Sequence, residues 1–261
     1  MFVAFGKLEK VICLHKKDFT MYNNSRGFLS SIPPVTKNLL LINILMWIAT
    51  MLFPQLNDVL GLHYWSASKF NPAQLVTYMF VHGGFTHMFF NMFSLFMFGG
   101  LLEQALGRKR YLFYYISCGI GAAIVQEVVT MLTLDDMFKY ANAEGFIVLQ
   151  GAEAVQYAMR TGEYGQVLNN ILVVGASGAI FGILLAFGMI FPNMPLYIMF
   201  LPIPIKAKWM VLGYGVLELA FGVTGAFSTI AHFAHLGGMI FGFFIIYYWK
   251  KKGVIGGGFY Q

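Results

Sequence analysis

Charged residues are scarce in this 261-residue chain, where Asp, Glu, Lys and Arg together make up 11% of the sequence. Soluble domains contain about 25% charged residues. Hydrophobic residues make up 58% of the chain, and its mean hydropathy is +0.68. This composition excludes a soluble domain and places the chain in a lipid bilayer. The net charge of +6 is therefore not a sign of nucleic-acid binding, and we expect membrane lipids as partners.

Cysteine is also rare, and a removable signal peptide is not expected. Cys13 lies in a basic segment and Cys118 in an apolar run, so no disulfide framework can form. The first 36 residues contain no apolar stretch of about 7 to 15 residues followed by a small-residue cleavage site. We therefore expect the membrane spans themselves to direct insertion.

The sequence lacks the motifs of three classes of hydrolase. Every Asp lies outside the long apolar runs, which excludes a protease with an intramembrane aspartate pair. The sequence contains no HExxH, so a zinc metalloprotease is excluded, and we expect neither a metal nor another cofactor. The residue two after Ser177 is Ala179, so the GxSxG motif of α/β-hydrolases is absent as well.

The chain does contain six apolar runs close to the length that crosses the hydrocarbon core, about 20 residues as a helix. They cover residues 38–55, 87–106, 111–133, 171–191, 210–223 and 229–249. The fifth run is the shortest and contains Glu218. This pattern predicts a single-domain, all-α membrane protein with six spans.

The distribution of Lys and Arg predicts the orientation of these spans. Except for Lys69, Lys139 and Arg160, all Lys and Arg residues lie in four segments. These segments are the one before the first run, the one between runs two and three, the one between runs four and five, and the one after the sixth run. The positive-inside rule then makes both termini cytoplasmic. We expect a multi-pass protein of the cell membrane with outer loops at 56–86 and 134–170. The second loop is predicted to contain a helix, because Ala154 and Ala158 have helical spacing.

Polar side chains inside the predicted spans converge at one depth. Ser177 and His235 each lie six residues, or about 9 Å, into runs predicted to start at the outer face. His87 and Asn91 are four residues apart on one helical face at the outer end of run two. A nucleophile, a base and two hydrogen-bond donors would thus share one layer.

Each of these groups also has a structural interpretation. Ser177 lies among small residues, and the GxxxG spacings Gly178/Gly182 and Gly238/Gly242 are typical of close helix packing. A histidine or asparagine in a span often serves as a hydrogen bond between helices. Two further carboxylates, Glu127 and Glu218, could take part in proton transport or be protonated and hydrogen-bonded.

Four ordered motifs resemble those of rhomboid intramembrane serine proteases. They are HxxxN at residues 87–91, GxxxExxxG at 99–107, GxSG at 175–178 and AHxxGxxxG at 234–242. The resemblance covers residues 38–252 and implies a rhomboid-like bundle of six transmembrane helices, the basic and mostly bacterial form. Residues 1–37 and 253–261 would be cytoplasmic tails.

The resemblance also implies roles for particular residues. Ser177 would be the nucleophile and His235 the general base, in a dyad, because no carboxylate lies near His235 on the sixth run. The oxyanion hole would use the side chains of His87 and Asn91 and the backbone N–H of Ser177, with that of Ala176 as a further candidate. Supporting positions are Gly175, Gly178, Phe181, Gly238 and Gly242, and the ring of Phe181 would stack on the base.

The implied partners are transmembrane protein substrates, which would reach the site laterally between spans two and five. The sequence departs from many rhomboids in lacking a Trp-Arg pair near residues 71–75 and in having Phe181 where some relatives have Tyr. Its 134–170 loop is also longer than in the simplest members. Two alternatives stay open: an inactive rhomboid-like binder of transmembrane helices, and a small proton-coupled transporter that uses Glu127 and Glu218.

Overall fold

The computed structural model describes residues 31–141, 147–197, 204–224 and 231–255. Most of the predicted 1–37 tail and the end of the 253–261 tail therefore lie outside the described residues. The described helices are α1 (Pro34–Leu52), α2 (Gln55–Leu60), α3 (Gln74–Thr77), α4 (Phe85–Leu106), α5 (Arg108–Met137), α6 (Gly151–Thr161), α7 (Tyr164–Asn170), α8 (Ser177–Ile190), α9 (Ala207–Thr224) and α10 (His232–Lys251). Residues Tyr78–Phe80 form a 3-10 turn, and Leu95–Gly99 form a π-helical segment inside α4.

Within the described residues, three short antiparallel strand pairs accompany the helices. Strand β1 (Leu62–His63) pairs with β4 (Leu172–Val173), with Leu62 opposite Val173. The other pairs are β2 (Lys139–Ala141) with β3 (Ile147–Gln150), and β5 (Pro195–Tyr197) with β6 (Pro204–Lys206). All three are connections between helices, so the protein is an all-α membrane bundle, as predicted.

A helix occupies each of the six predicted runs, but the helices differ in how clearly they meet the requirements for a span. Three are long and apolar enough to cross a membrane, namely Pro34–Leu52, Phe85–Leu106 and Arg108–Asp135. Helix α8 is apolar but has only 14 residues. Helices α9 and α10 are long enough, but they contain Glu218 and two histidines, which lower their hydropathy. The six-span count therefore stays a prediction.

Helix α8, which occupies the fourth predicted run, begins later than the hydropathy of the run suggests. The sequence predicted a helix from residue 171, but residues 172–173 form β4, and α8 begins at Ser177. The prediction that Ser177 lies six residues, or about 9 Å, inside a helix is therefore wrong. Ser177 is the first residue of α8, because pairing with β1 keeps residues 172–173 extended and Gly175 has a positive φ of 129°. The predicted start of the sixth run, residue 229, lies outside the described residues.

Helix α8 is the centre of the bundle, with 10 of its 14 residues buried. Gly238 of α10 lies directly against the backbone carbonyl of Gly178 in α8, so this glycine brings the sixth predicted span against the fourth, as expected. The sequence predicted that Gly237, Gly238 and Gly242, which share one face of the sixth run, would all bring this span against the fourth, and this is wrong for Gly237 and Gly242. A Cβ at Gly237 would lie 2.7 Å from Val125 of α5, and Gly242 also faces α5.

The glutamate of the GxxxExxxG motif caps a neighbouring helix. Glu103 Oε1 accepts the backbone N–H of Val35 at 3.0 Å, and its Oε2 accepts the N–H and hydroxyl of Thr36 at 2.7 and 2.8 Å. These donors lie in the first turn of α1, where backbone N–H groups have no acceptor within the helix. Glu103 therefore fixes α1 against α4.

Hydrogen bonds also fix the predicted outer loops. Glu127 of α5 accepts the backbone N–H of Trp65 at 2.8 Å, and Asn169 Oδ1 accepts that of Lys69 at 3.2 Å. The side-chain amide of Gln74 donates to the carbonyls of Val59 and Lys69.

The predicted helix in the second loop is confirmed, because α6 spans Gly151–Thr161.

Candidate active site

Ser177 and His235 are in direct contact. The Ser177 Oγ lies 2.8 Å from the His235 Nε2, a hydrogen-bond distance. Ser177 is the first residue of α8 and His235 the fourth residue of α10. Ser177 is half-buried and His235 is 7% exposed. A hydroxyl and an imidazole in this arrangement can exchange a proton, which is what an activated serine nucleophile requires.

Gly175 shapes the backbone just before Ser177. Its φ of 129° is positive, and its N–H donates to the carbonyl of Tyr78 at 2.9 Å. A Cβ at this position would lie 2.7 Å from two atoms of the His87 ring. Only glycine adopts this conformation easily and leaves room for the ring. His87 is thereby placed beside the start of α8, as the sequence predicted.

The start of α8 also presents backbone N–H donors that have no acceptor within the helix. The first hydrogen bond of the helix runs from the Ile180 N–H to the Ala176 carbonyl, at 3.0 Å. The N–H groups of the residues before Ile180 in the first turn have no acceptor within the helix, and the helix dipole is positive at this end. The N–H of Ser177 is therefore suited to stabilising negative charge close to its own hydroxyl.

Asn91 supplies a further donor without a partner. It lies one helical turn after His87 on α4 and is 6% exposed. Its Nδ2 has no hydrogen-bond partner among the described residues. Leaving a buried donor unpaired typically costs about 1 to 3 kcal/mol. A buried amide that stays unpaired in this way is available to an incoming acceptor.

Phe181 stacks on the imidazole of His235, as predicted. The ring centroids are 4.2 Å apart and the ring planes are inclined by 7°. Phe181 lies one turn after Ser177 on α8, so the residue that follows the nucleophile along the helix also fixes the plane of the base.

Glu218 contacts His235, and the sequence did not predict this contact. Its Oε2 lies 3.0 Å from the His235 Nδ1 and 2.7 Å from the His232 Nδ1. The expectation that no carboxylate reaches the base was wrong, because only the run that contains His235 was considered. Glu218 lies six residues before the end of α9, at Thr224. Counting depth along the fifth run as well would have placed it level with the predicted site.

The same three side chains could, in principle, bind a metal ion. The ligand atoms of Glu218, His232 and His235 all lie within 4.8 Å of one another. Zinc ligands at about 2.0 to 2.1 Å from a tetrahedral ion are about 3.3 Å apart. The observed distances of 2.7 and 3.0 Å are shorter and are those of imidazole N–H groups that donate to a carboxylate.

Comparison with known proteins identifies the family. The profile of the Rhomboid domain matches residues 69–252, which include Ser177, His235, His87 and Asn91. The chain belongs to the rhomboid family. Its helices and this membership make it a membrane protein of the rhomboid fold.

Individual rhomboid relatives match parts of the chain. The rhomboid protein YdcA of Bacillus subtilis is 35% identical over 74 residues, which cover 28% of this chain and 35% of the relative. The mitochondrial presenilin-associated rhomboid-like protein A of Danio rerio is 30% identical over 192 residues, 71% of this chain and 41% of the relative. Its human counterpart is 27% identical over 191 residues, 71% of this chain and 41% of the relative. The chain thus spans less than half the length of these relatives.

Proposed function

We propose that this rhomboid domain is an intramembrane serine endopeptidase. It hydrolyses peptide bonds in or near the transmembrane segments of membrane-protein substrates. The observation that carries the proposal is the 2.8 Å contact between the Ser177 hydroxyl and the His235 imidazole. Separate helices contribute the two side chains, and the His87 ring lies against Gly175, two residues before Ser177.

The chemistry follows from the geometry in two half-reactions. Ser177 Oγ attacks the carbonyl carbon of the scissile peptide while its proton passes to His235 Nε2. The C–N bond then breaks, the leaving amine takes that proton, and an ester forms on Ser177. Water attacks the ester and gives its proton to His235. The ester bond breaks and the proton returns to Ser177, which frees the second product.

Negative charge on the tetrahedral intermediate needs donors that are already in place. In this proposal His87, Asn91 and the Ser177 N–H form the oxyanion hole, with the Ala176 N–H as a further candidate. The contact of His87 with Gly175 and the unpaired Nδ2 of Asn91 support these roles. Removing one such donor typically costs about 2.7 to 4 kcal/mol of transition-state stabilisation.

The packing of α9 supports lateral access for a substrate helix. Of the 18 residues of this helix, all of them in the described part of the chain, only Ala207 and Val211 are buried. On α4, the second predicted span, the rings of Phe85, Phe89 and Phe93 are also exposed. A substrate would reach Ser177 between α4 and α9 and would unwind locally. Glycine or proline at the cut site would lower the cost of unwinding.

Location and orientation belong to the proposal as well. We place the protein in the cell membrane with both termini in the cytoplasm and the site open to the outer face. The distribution of Lys and Arg supports this orientation. The names of several relatives describe those proteins as mitochondrial.

The two alternatives have less support. An inactive binder has no need of a serine and a histidine at hydrogen-bond distance. A proton-coupled transporter would need mobile carboxylates, whereas Glu127 accepts the Trp65 N–H and Glu218 contacts two imidazoles. Proton flux into liposomes that survives Ser177→Ala would favour the transporter.

A fluorophosphonate probe tests the proposed nucleophile. These reagents phosphonylate activated serines, and the modified residue is located by mass spectrometry of the digested protein. We expect an adduct on Ser177 in the wild type and none in His235→Ala. An adduct that forms equally in His235→Ala, or no adduct on Ser177, would contradict the activation of this serine by His235.

A further inference from the structure

We propose that Glu218 is a positioning residue that holds His235 in the tautomer needed to accept the proton of Ser177. This inference rests on the proposed function of the site. It adds a third group, from a third helix, to the serine and histidine of the motifs.

Each nitrogen of the His235 ring has one partner. Nδ1 lies 3.0 Å from the Glu218 Oε2, and Nε2 lies 2.8 Å from the Ser177 Oγ. An ionised carboxylate can only accept a hydrogen bond, so the proton of a neutral imidazole must be on Nδ1. The lone pair of Nε2 then faces the serine hydroxyl, which is the state that a general base requires.

His232 holds the carboxylate in place from a second direction. Its Nδ1 lies 2.7 Å from the same Oε2 atom of Glu218. The rings of His232 and His235 are nearly perpendicular, at 87°, with centroids 6.4 Å apart. Two donors that approach one oxygen from different directions restrict the rotation of the Glu218 side chain, which is 14% exposed.

Glu218 and Phe181 restrain different movements of the base. The stacked Phe181 ring fixes the plane of the imidazole, but stacking alone does not distinguish one tautomer from the other. The carboxylate fixes the tautomer and the rotation within that plane. Its negative charge also stabilises the imidazolium that forms when Ser177 loses its proton.

The test compares variants of the full chain in proteoliposomes. We expect Glu218→Ala to lower kcat at least about tenfold while KM changes less than about twofold, because in this proposal Glu218 acts through His235. Glu218→Gln keeps an oxygen that can accept from Nδ1 and should retain more activity than Glu218→Ala. Leu132→Ala, an exposed leucine on α5 outside the proposed access route, is the matched control and should have the kcat of the wild type.

A second measurement does not depend on turnover. The 15N spectrum of labelled imidazoles, with His235 assigned by comparison with His235→Gln, reports which ring nitrogen carries the proton. We expect the Nδ1–H form of His235 in the wild type and in Glu218→Gln, and a mixture of tautomers in Glu218→Ala. A wild-type tautomer in Glu218→Ala together with a wild-type kcat would overturn the inference.

The two measurements separate the inference from the proposed function. If the wild type cleaves no substrate but the His235 tautomer still depends on Glu218, the proposed function fails and the positioning of His235 stands. If Glu218→Ala unfolds, the comparison of Glu218→Gln with the wild type decides whether Glu218 sets the tautomer of His235. A Gln variant with the Nε2–H tautomer and a full kcat would also overturn the inference.

Discussion

The contact between Gly238 and Gly178 sets the distance between the two proposed catalytic residues. Gly238 lies against the Gly178 carbonyl group, and a Cβ at Gly238 would lie 2.7 Å from the Gly178 carbonyl carbon. These are backbone atoms of α8, so they cannot rotate away as a side chain would. Because α8 contains Ser177 and α10 contains His235, any separation of the helices changes the Oγ–Nε2 distance.

The size of that change follows from van der Waals contact. Carbon atoms pack at about 3.5 to 4.0 Å, so relieving the 2.7 Å contact with the carbonyl carbon would move the helices apart by at least about 1 Å, and the carbonyl oxygen lies nearer still. The Oγ–Nε2 distance, now 2.8 Å, would approach about 3.8 Å and no longer be a hydrogen bond. A misplacement of about 1 Å can lower a rate about 100-fold. Overpacking of this kind also destabilises a protein by about 1 to 3 kcal/mol.

We therefore expect Gly238→Ala to lower kcat about 100-fold and to lower the Tm. The matched control is Gly213→Ala on α9, where a Cβ would meet no atom of the described part of the chain within 4 Å. That variant should keep the wild-type kcat and gain up to about 1 kcal/mol, because alanine is the better helix former. Turnover of a single-span substrate and thermal unfolding in detergent provide the two readouts. Equal kcat and Tm values in the two variants would refute this account of the helix contact.

Three further predictions concern Asn91, Glu103 and the topology. Asn91→Ala should lower kcat at least about tenfold with little change in Tm, because its Nδ2 has no hydrogen-bond partner to lose among the residues that the structure describes. A lower Tm with an unchanged kcat would make the residue structural. Glu103→Ala should destabilise the fold by about 1 to 3 kcal/mol, since α1 loses the acceptor for its first turn, and an unchanged Tm would contradict this capping role. Single cysteines at Ser31 and Gly162, in a background without native cysteines, should show opposite accessibility to an impermeant reagent, whereas matching accessibility would contradict the predicted topology.

Much of the site was predictable because its determinants are local in the sequence. Four-residue spacing places His87 and Asn91 on one helical face, and Ser177 and Phe181 likewise share a face. The Ser177–His235 contact joins distant segments, but the ordered motifs indicated it. The predicted start of the helix at residue 171 was wrong, because β4 pairs with β1, which lies more than a hundred residues earlier in the sequence.

Glu218 illustrates what the sequence pattern could not show. Hydropathy identifies α9 as the weakest apolar run but does not determine how this helix is rotated about its axis. That rotation decides whether Glu218 faces lipid, water or α10, and it depends on packing among helices that are distant in sequence. The 3.0 Å contact with His235 became evident only from the three-dimensional arrangement.

Cleavage of a defined substrate tests the central claim most directly. Purified protein in proteoliposomes is incubated with a single-span substrate that has a glycine near the outer end of its helix, and the products are identified by mass spectrometry. We predict one principal cut in or near the span with the wild type, and no cut with Ser177→Ala or with His235→Ala, although both variants keep the wild-type Tm. Cleavage by Ser177→Ala at the wild-type rate would contradict the account.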